Sequence, residues 1–96
     1  MARIELAAGA LDDFDRFLNH MAEFDVPDAP ARISEILQAI DILTHSPLIG
    51  RPVRGGKREL IIGQGSRGYI ALYNFVSRID TVFVLALRSQ RERGYR

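Results

Sequence analysis

The spacing of apolar side chains changes period along the chain, and each change marks an element. Ala2–Leu6 alternates, with Ile4 and Leu6 on one side, which predicts a short strand. From Ala8 to Phe24 the period lengthens. Leu11, Phe14, Leu18 and Met21 recur three and four residues apart and fall on one helical stripe. Asp12, Asp13 and Asp15 lie in the early turns, where the helix dipole favours negative charge. Asp25–Pro27 breaks the pattern. Asp28 is placed to cap a second helix, with Pro30 just inside it, where a missing N–H costs nothing. Ile33, Ile36, Leu37, Ile40 and Leu43 form the second stripe, which ends before Ser46-Pro47 because the residue preceding proline resists helical angles. Two helices joined by so short a link form an antiparallel hairpin.

Residues 47–56 (PLIGRPVRGG) combine prolines and glycines and predict a loop. Three extended segments follow, Lys57–Ile62, Tyr69–Val76 and Thr81–Leu87, separated by Gly63–Gly68 and by Ser77–Asp80. Short connections make them consecutive antiparallel neighbours. The expected fold is α+β in the order β-α-α-β-β-β, a single domain over residues 1–96. A helical hairpin packs on one face of a small, mainly antiparallel four-stranded sheet. YIALYNFV places Tyr69, Ala71, Tyr73 and Phe75 on one side and Ile70, Leu72 and Val76 on the other, and Thr81–Leu87 is likewise apolar on both sides. A sheet with helices on one face needs only one apolar face. Either the chain's own termini or a partner is therefore expected to cover the other.

Charge sharpens this picture. Residues 1–48 hold three basic side chains against nine acidic ones and residues 49–96 hold ten against three, so the halves carry −6 and +7. Nearly all the cations are arginine, the side chain whose fork fits carboxylate or phosphate, which suggests an anionic partner. No cysteine is present, so disulfide and thiol chemistry are excluded, which suits a reducing cytoplasm. The opening MARIELAAGALDDF turns acidic too quickly for a signal peptide, and no run of about 20 apolar residues exists to span a membrane.

Two motifs dissolve on inspection. Gly63–Gly68 spells G-x-G-x-x-G after a strand, but the dinucleotide fingerprint needs a helix next to receive the pyrophosphate, and the next segment alternates as a strand. The glycines read as hairpin loop. His20 and His45 lack metal-ligand spacing. No cofactor and no metal are expected. What stands out is basic: Lys57-Arg58-Glu59 opens a strand, and Arg88, Arg91 and Arg93, then Tyr95 and Arg96, follow the last one. End-of-strand charge competes here with an anion- or protein-binding surface.

The order of elements resembles the RelE/ParE family of bacterial toxins from type II toxin–antitoxin systems. So do Asp28-Ala29 through the second helix to Ser46-Pro47, Gly50-Arg51-Pro52, Arg58-Glu59-Leu60-Ile61-Ile62-Gly63, Gly68-Tyr69-Ile70-Ala71-Leu72-Tyr73, Asp80-Thr81-Val82-Phe83-Val84-Leu85 and Arg88-Ser89-Gln90-Arg91. The resemblance implies a small cytoplasmic toxin restrained by a cognate antitoxin that wraps it, with operator DNA reached only through the complex. Leu60, Ile62, Tyr69, Tyr73 and Phe75 are the expected antitoxin contacts, and Arg58, Arg88, Arg91, Arg93 and Tyr95 the expected toxicity residues.

RelE-like members resemble one another as ribosome-dependent mRNA endonucleases, with an arginine directly after the tyrosine of the G-Y pair. Here that position is Ile70. A nuclease would have to use Lys57, Arg58, Arg88, Arg91 and Tyr95. Cleavage through a ribose 2′-OH needs proton transfer, which arginine does not supply; Lys57, Glu59, Glu92 and Tyr95 are the available proton handlers. The chain looks closer to ParE-like members, which lack the full nuclease set and are described as acting on DNA gyrase. The favoured expectation is a non-catalytic gyrase-directed toxin; the alternatives are an mRNA interferase and a member that has lost toxicity.

Overall fold

The computed structural model describes residues 1–95; Arg96 lies outside them. The elements run β1 (Arg3–Leu6), α1 (Ala8–Glu23), α2 (Ala29–Ile42), β2 (Arg51–Val53), β3 (Lys57–Ile62), β4 (Tyr69–Val76) and β5 (Thr81–Ser89). The expected α+β fold is present, but the sheet has five strands, in the order β1-β5-β4-β3-β2. The added strand is β2, inside the segment read as loop. It pairs antiparallel with β3 through Arg51 opposite Glu59, Pro52 opposite Arg58 and Val53 opposite Lys57. A proline fits there because an edge strand needs no outward N–H. β1 runs parallel to β5, and the other pairings are antiparallel.

Pairing register divides the side chains between two faces. Tyr73 opposes Arg58 and Val84, Ala71 opposes Leu60 and Leu87, and Tyr69 opposes Ile62. With Ile4, Leu6 and Val82 these face the helical hairpin and meet Phe17, Met21, Ile36, Ile40 and Leu43 in one core. Glu59, Ile61, Ile70, Leu72, Asn74, Phe83, Ala86 and Arg88 lie on the opposite face.

The buried stripe of α1 is Ala10, Asp13, Phe17 and Met21; of the expected set Met21 is buried and Phe14 packs partly buried against the core, whereas Leu11 and Leu18 are turned away from it. Leu11 and Leu18 are 50% and 48% exposed. The cause is close approach at the helix start, since a Cβ on Gly9 would sit 2.9 Å from the Leu85 carbonyl oxygen. Gly9 and Ala10 can lie against β5 where a leucine cannot. In α2, Ile36 and Ile40 are buried as expected, while Leu37 is 50% exposed. Asp28 makes no side-chain cap; it adopts φ 60° and accepts the Arg32 N–H through its backbone carbonyl at 3.0 Å. No helix is long and apolar enough to cross a membrane among the described residues.

Candidate functional site

The residues singled out above divide among three places. Arg58 faces the hairpin side, where it holds the turn before β2. Its Nη1 donates to the carbonyls of Leu48 and Gly50 at 3.1 and 2.7 Å. The Gly50 N–H donates to the buried Tyr73 hydroxyl at 2.9 Å, so Gly50 is gripped by both its polar groups. A Cβ on Gly50 would fall 2.7 Å from that ring, which is why glycine stands there. Burial pushes the Tyr73 hydroxyl above the usual phenol range; the Gly50 hydrogen bond and the Arg58 charge only partly offset it. Arg58 is thus a clamp on the fold and shares no surface with the other expected toxicity residues.

The second place is the open face, across β4. Glu59 on β3 and Arg88 on β5 flank this strand, and the chain after β5 folds back to set Tyr95 between them. The Tyr95 hydroxyl donates to Glu59 Oε2 at 2.7 Å, and the Arg88 guanidinium lies 5.3 Å from the Tyr95 ring centroid. Glu59 Oε1 accepts from Arg51 Nε and Nη2 at 3.0 and 2.8 Å. Arg88 Nη1 donates to the Glu92 carbonyl at 2.7 Å, while its Nε is buried with no partner among the described residues. Ile70, 4% exposed, and Ala86 are buried yet stand outside the core cluster, so the returning tail covers this part of the face. Ile61 remains 46% exposed.

Glu59 is the electrostatic centre of this arrangement, with its side chain 11% exposed. Burial alone would raise its carboxyl. The hydrogen bonds from Tyr95 and Arg51, with the charges of Arg51 and Arg88, outweigh that and hold it below the usual carboxylate range. Tyr95 moves oppositely: burial, then the hydrogen bond to Glu59 and the charge of that carboxylate, push its hydroxyl well above the phenol range against the lowering effect of Arg88. The proton stays on the phenol.

The third place is the end of the sheet where β3 and β5 finish and β4 begins. A cavity of about 530 Å³ is lined there by Arg16, Arg32, Arg67 and Arg91 over Phe17 and Tyr69, whose ring centroids are 5.2 Å apart. Arg16 pairs with Glu92 and, at 3.3 Å, with Asp13. Lys57 and Arg93 are exposed, and neither makes a side-chain hydrogen bond or ion pair among the described residues.

Of the expected antitoxin contacts, Ile62, Tyr69 and Tyr73 are buried in the core, and Leu60 and Phe75 pack partly buried against it. All five face the helical hairpin, so they form no free surface on the open side. Free apolar surface lies instead on the outside of the hairpin. A groove of about 1040 Å³ runs between α1 and α2, lined by Leu18, Met21, Ile33 and Leu37 and rimmed by Asp25, Asp28 and Asp41. It escaped the sequence reading because Leu18 and Leu37 were assigned to the core.

Comparison with known proteins places this geometry in a family. Residues 4–94 match the family described as the ParE toxin of the type II toxin–antitoxin system parDE. Among solved structures, the chain is similar to one from the RelBE2 toxin–antitoxin complex of Mycobacterium tuberculosis (19% identity, 93% of this chain and 98% of that one, TM-score 0.66). It is also similar to one from the intact E. coli RelBE complex (19%, 97% and 100%, TM-score 0.63). A third, from the archaeal RelE–RelB complex of Pyrococcus horikoshii OT3, has 18% identity over 97% and 98% of the two chains, with a TM-score of 0.56. At these identities the structural likeness speaks for the fold. No curated protein matches the sequence. With the family match spanning nearly every residue, the chain belongs to the ParE toxin family of type II toxin–antitoxin systems.

Proposed function

We propose that this toxin arrests growth by binding DNA gyrase as a protein ligand, without chemistry of its own, and that a cognate antitoxin neutralises it. The observation that carries the non-catalytic reading is Glu59. A phosphate brought to Arg88 and Tyr95 meets a carboxylate already matched to Arg51 and bonded to the phenol. The Tyr95 hydroxyl and the Arg51 fork already donate to that carboxylate, so a phosphate would have to displace it from them. Tyr95 keeps its proton, and arginine cannot act as a base. These are poor terms for cleaving RNA and acceptable ones for docking on a protein.

The antitoxin seat in this reading is the outer groove of the hairpin. Its apolar floor and aspartate rim suit an amphipathic antitoxin helix with an apolar stripe and basic flanks. Operator DNA would be reached only through that complex. The purified chain should block gyrase supercoiling and accumulate cleaved DNA. Unimpaired supercoiling at excess toxin, with message cut inside codons on the ribosome, would reverse the assignment in favour of RNA cleavage. Leu18→Asp with Leu37→Asp should abolish rescue by the antitoxin while leaving the fold and the growth arrest intact.

A further inference from the structure

We infer that the cavity at the end of the sheet is a binding site for an oligophosphate group. Its cations come from four separate segments: Arg16 from α1, Arg32 from α2, Arg67 from the β3–β4 turn and Arg91 from the tail. Arg16 is spent on Asp13 and Glu92. Arg32, Arg67 and Arg91 make no side-chain hydrogen bond or ion pair among the described residues, so they hold no element in place. Gathering three guanidinium groups that make no direct ion pair among the described residues around one cavity costs stability through mutual repulsion, and a bound polyanion relieves it. Planar forks with several N–H donors match phosphate oxygens at adjacent positions.

The shape is as informative as the charge. About 530 Å³, walled by the buried rings of Phe17 and Tyr69, is a concave site of small-molecule size. A nucleic-acid backbone calls for an open stripe of cations instead. Among the described residues the only acid lining the cavity is Glu92, which is engaged by Arg16 and by the Ser89 N–H at 2.9 Å. Arg32 and Arg67 also line a neighbouring recess, together with Asp28 and Glu35. This inference concerns a different face from the hairpin groove and does not depend on the gyrase reading.

The test is calorimetric titration of the purified full-length chain with tripolyphosphate, ATP, adenosine and a short single-stranded oligonucleotide. Tripolyphosphate and ATP should bind saturably and compete with each other. ATP binding more tightly than tripolyphosphate assigns the apolar wall to a base and the ligand to the nucleotides; equal affinity assigns it to free oligophosphate. Adenosine alone should not bind. Arg67→Ala and Arg91→Ala should each weaken binding about tenfold, the value of one charge-assisted contact, with melting temperature unchanged or raised because repulsion is removed. Arg54→Ala, an exposed cation elsewhere, should change nothing. The inference is overturned by absence of saturable tripolyphosphate binding, by equal losses in the Arg54 variant, by a drop in melting temperature that accounts for the loss, or by binding of the oligonucleotide alone.

Discussion

At Asp13 a buried carboxylate accepts the Leu87 N–H at 2.8 Å, because β1 stops at the Leu6–Val84 pair and leaves the outer edge of β5 unpaired beyond it. Two residues on, the Ser89 N–H finds Glu92 in the same way, and Arg16 ties the two carboxylates together. Side chains thus replace strand partners along an edge that would otherwise present bare donors. Asp13→Ala should cost about 1–3 kcal/mol in urea denaturation, the penalty of a stranded buried donor; Asp13→Asn, which keeps an acceptor, should cost less. The Glu59–Tyr95 bond has a pH signature. The lowered carboxyl contributes stability that is complete above its ordinary value of 4.5 and is lost as pH falls through the folded value. The raised phenol contributes stability that is complete below about 10 and is lost as pH rises through its own folded value. Thermal melts against pH should therefore show an alkaline fall in the wild type that is shallower in Tyr95→Phe.

At the scale of elements, α1 shows how period and phase separate. A repeat of three and four is legible in the sequence and gives the helix correctly, but its rotation depends on Gly9 meeting β5, which lies more than 70 residues away in the chain. Phe17→Ala should cost about 3–5 kcal/mol, whereas Leu18→Ala should stay within about 0.5 kcal/mol; comparison of their denaturation midpoints checks the phase. β3 and β4 were legible to the residue because alternation and flanking glycines agree. β2 was not, because Pro52 and its glycine neighbours carry the composition of a loop. The Glu59–Tyr95 pair and the arginine cavity were equally hidden. They are assembled by a tail with no periodicity, across 36 residues in one case and from four segments in the other.

Across the whole molecule, the six-unit deficit of the first half and the seven-unit excess of the second are folded into one small body. The acidic half supplies the outer hairpin rim, while both halves place arginines at the sheet end, Arg16 and Arg32 from the first and Arg67 and Arg91 from the second, so the two candidate surfaces carry opposite sign. A partner recognising one is repelled by the other, which sorts ligands before any close contact forms. The strand order carries a temporal consequence as well. β5, the last of the described strands in chain order, lies between β1 and β4 and contributes Val82, Val84 and Leu87 to the core. A nascent chain halted before Thr81 has its opening strand without a neighbour and its hairpin over half a floor. Loss of Thr81–Ser89 should therefore remove both the partner of β1 and the centre of the core, and such a chain should not reach the folded state.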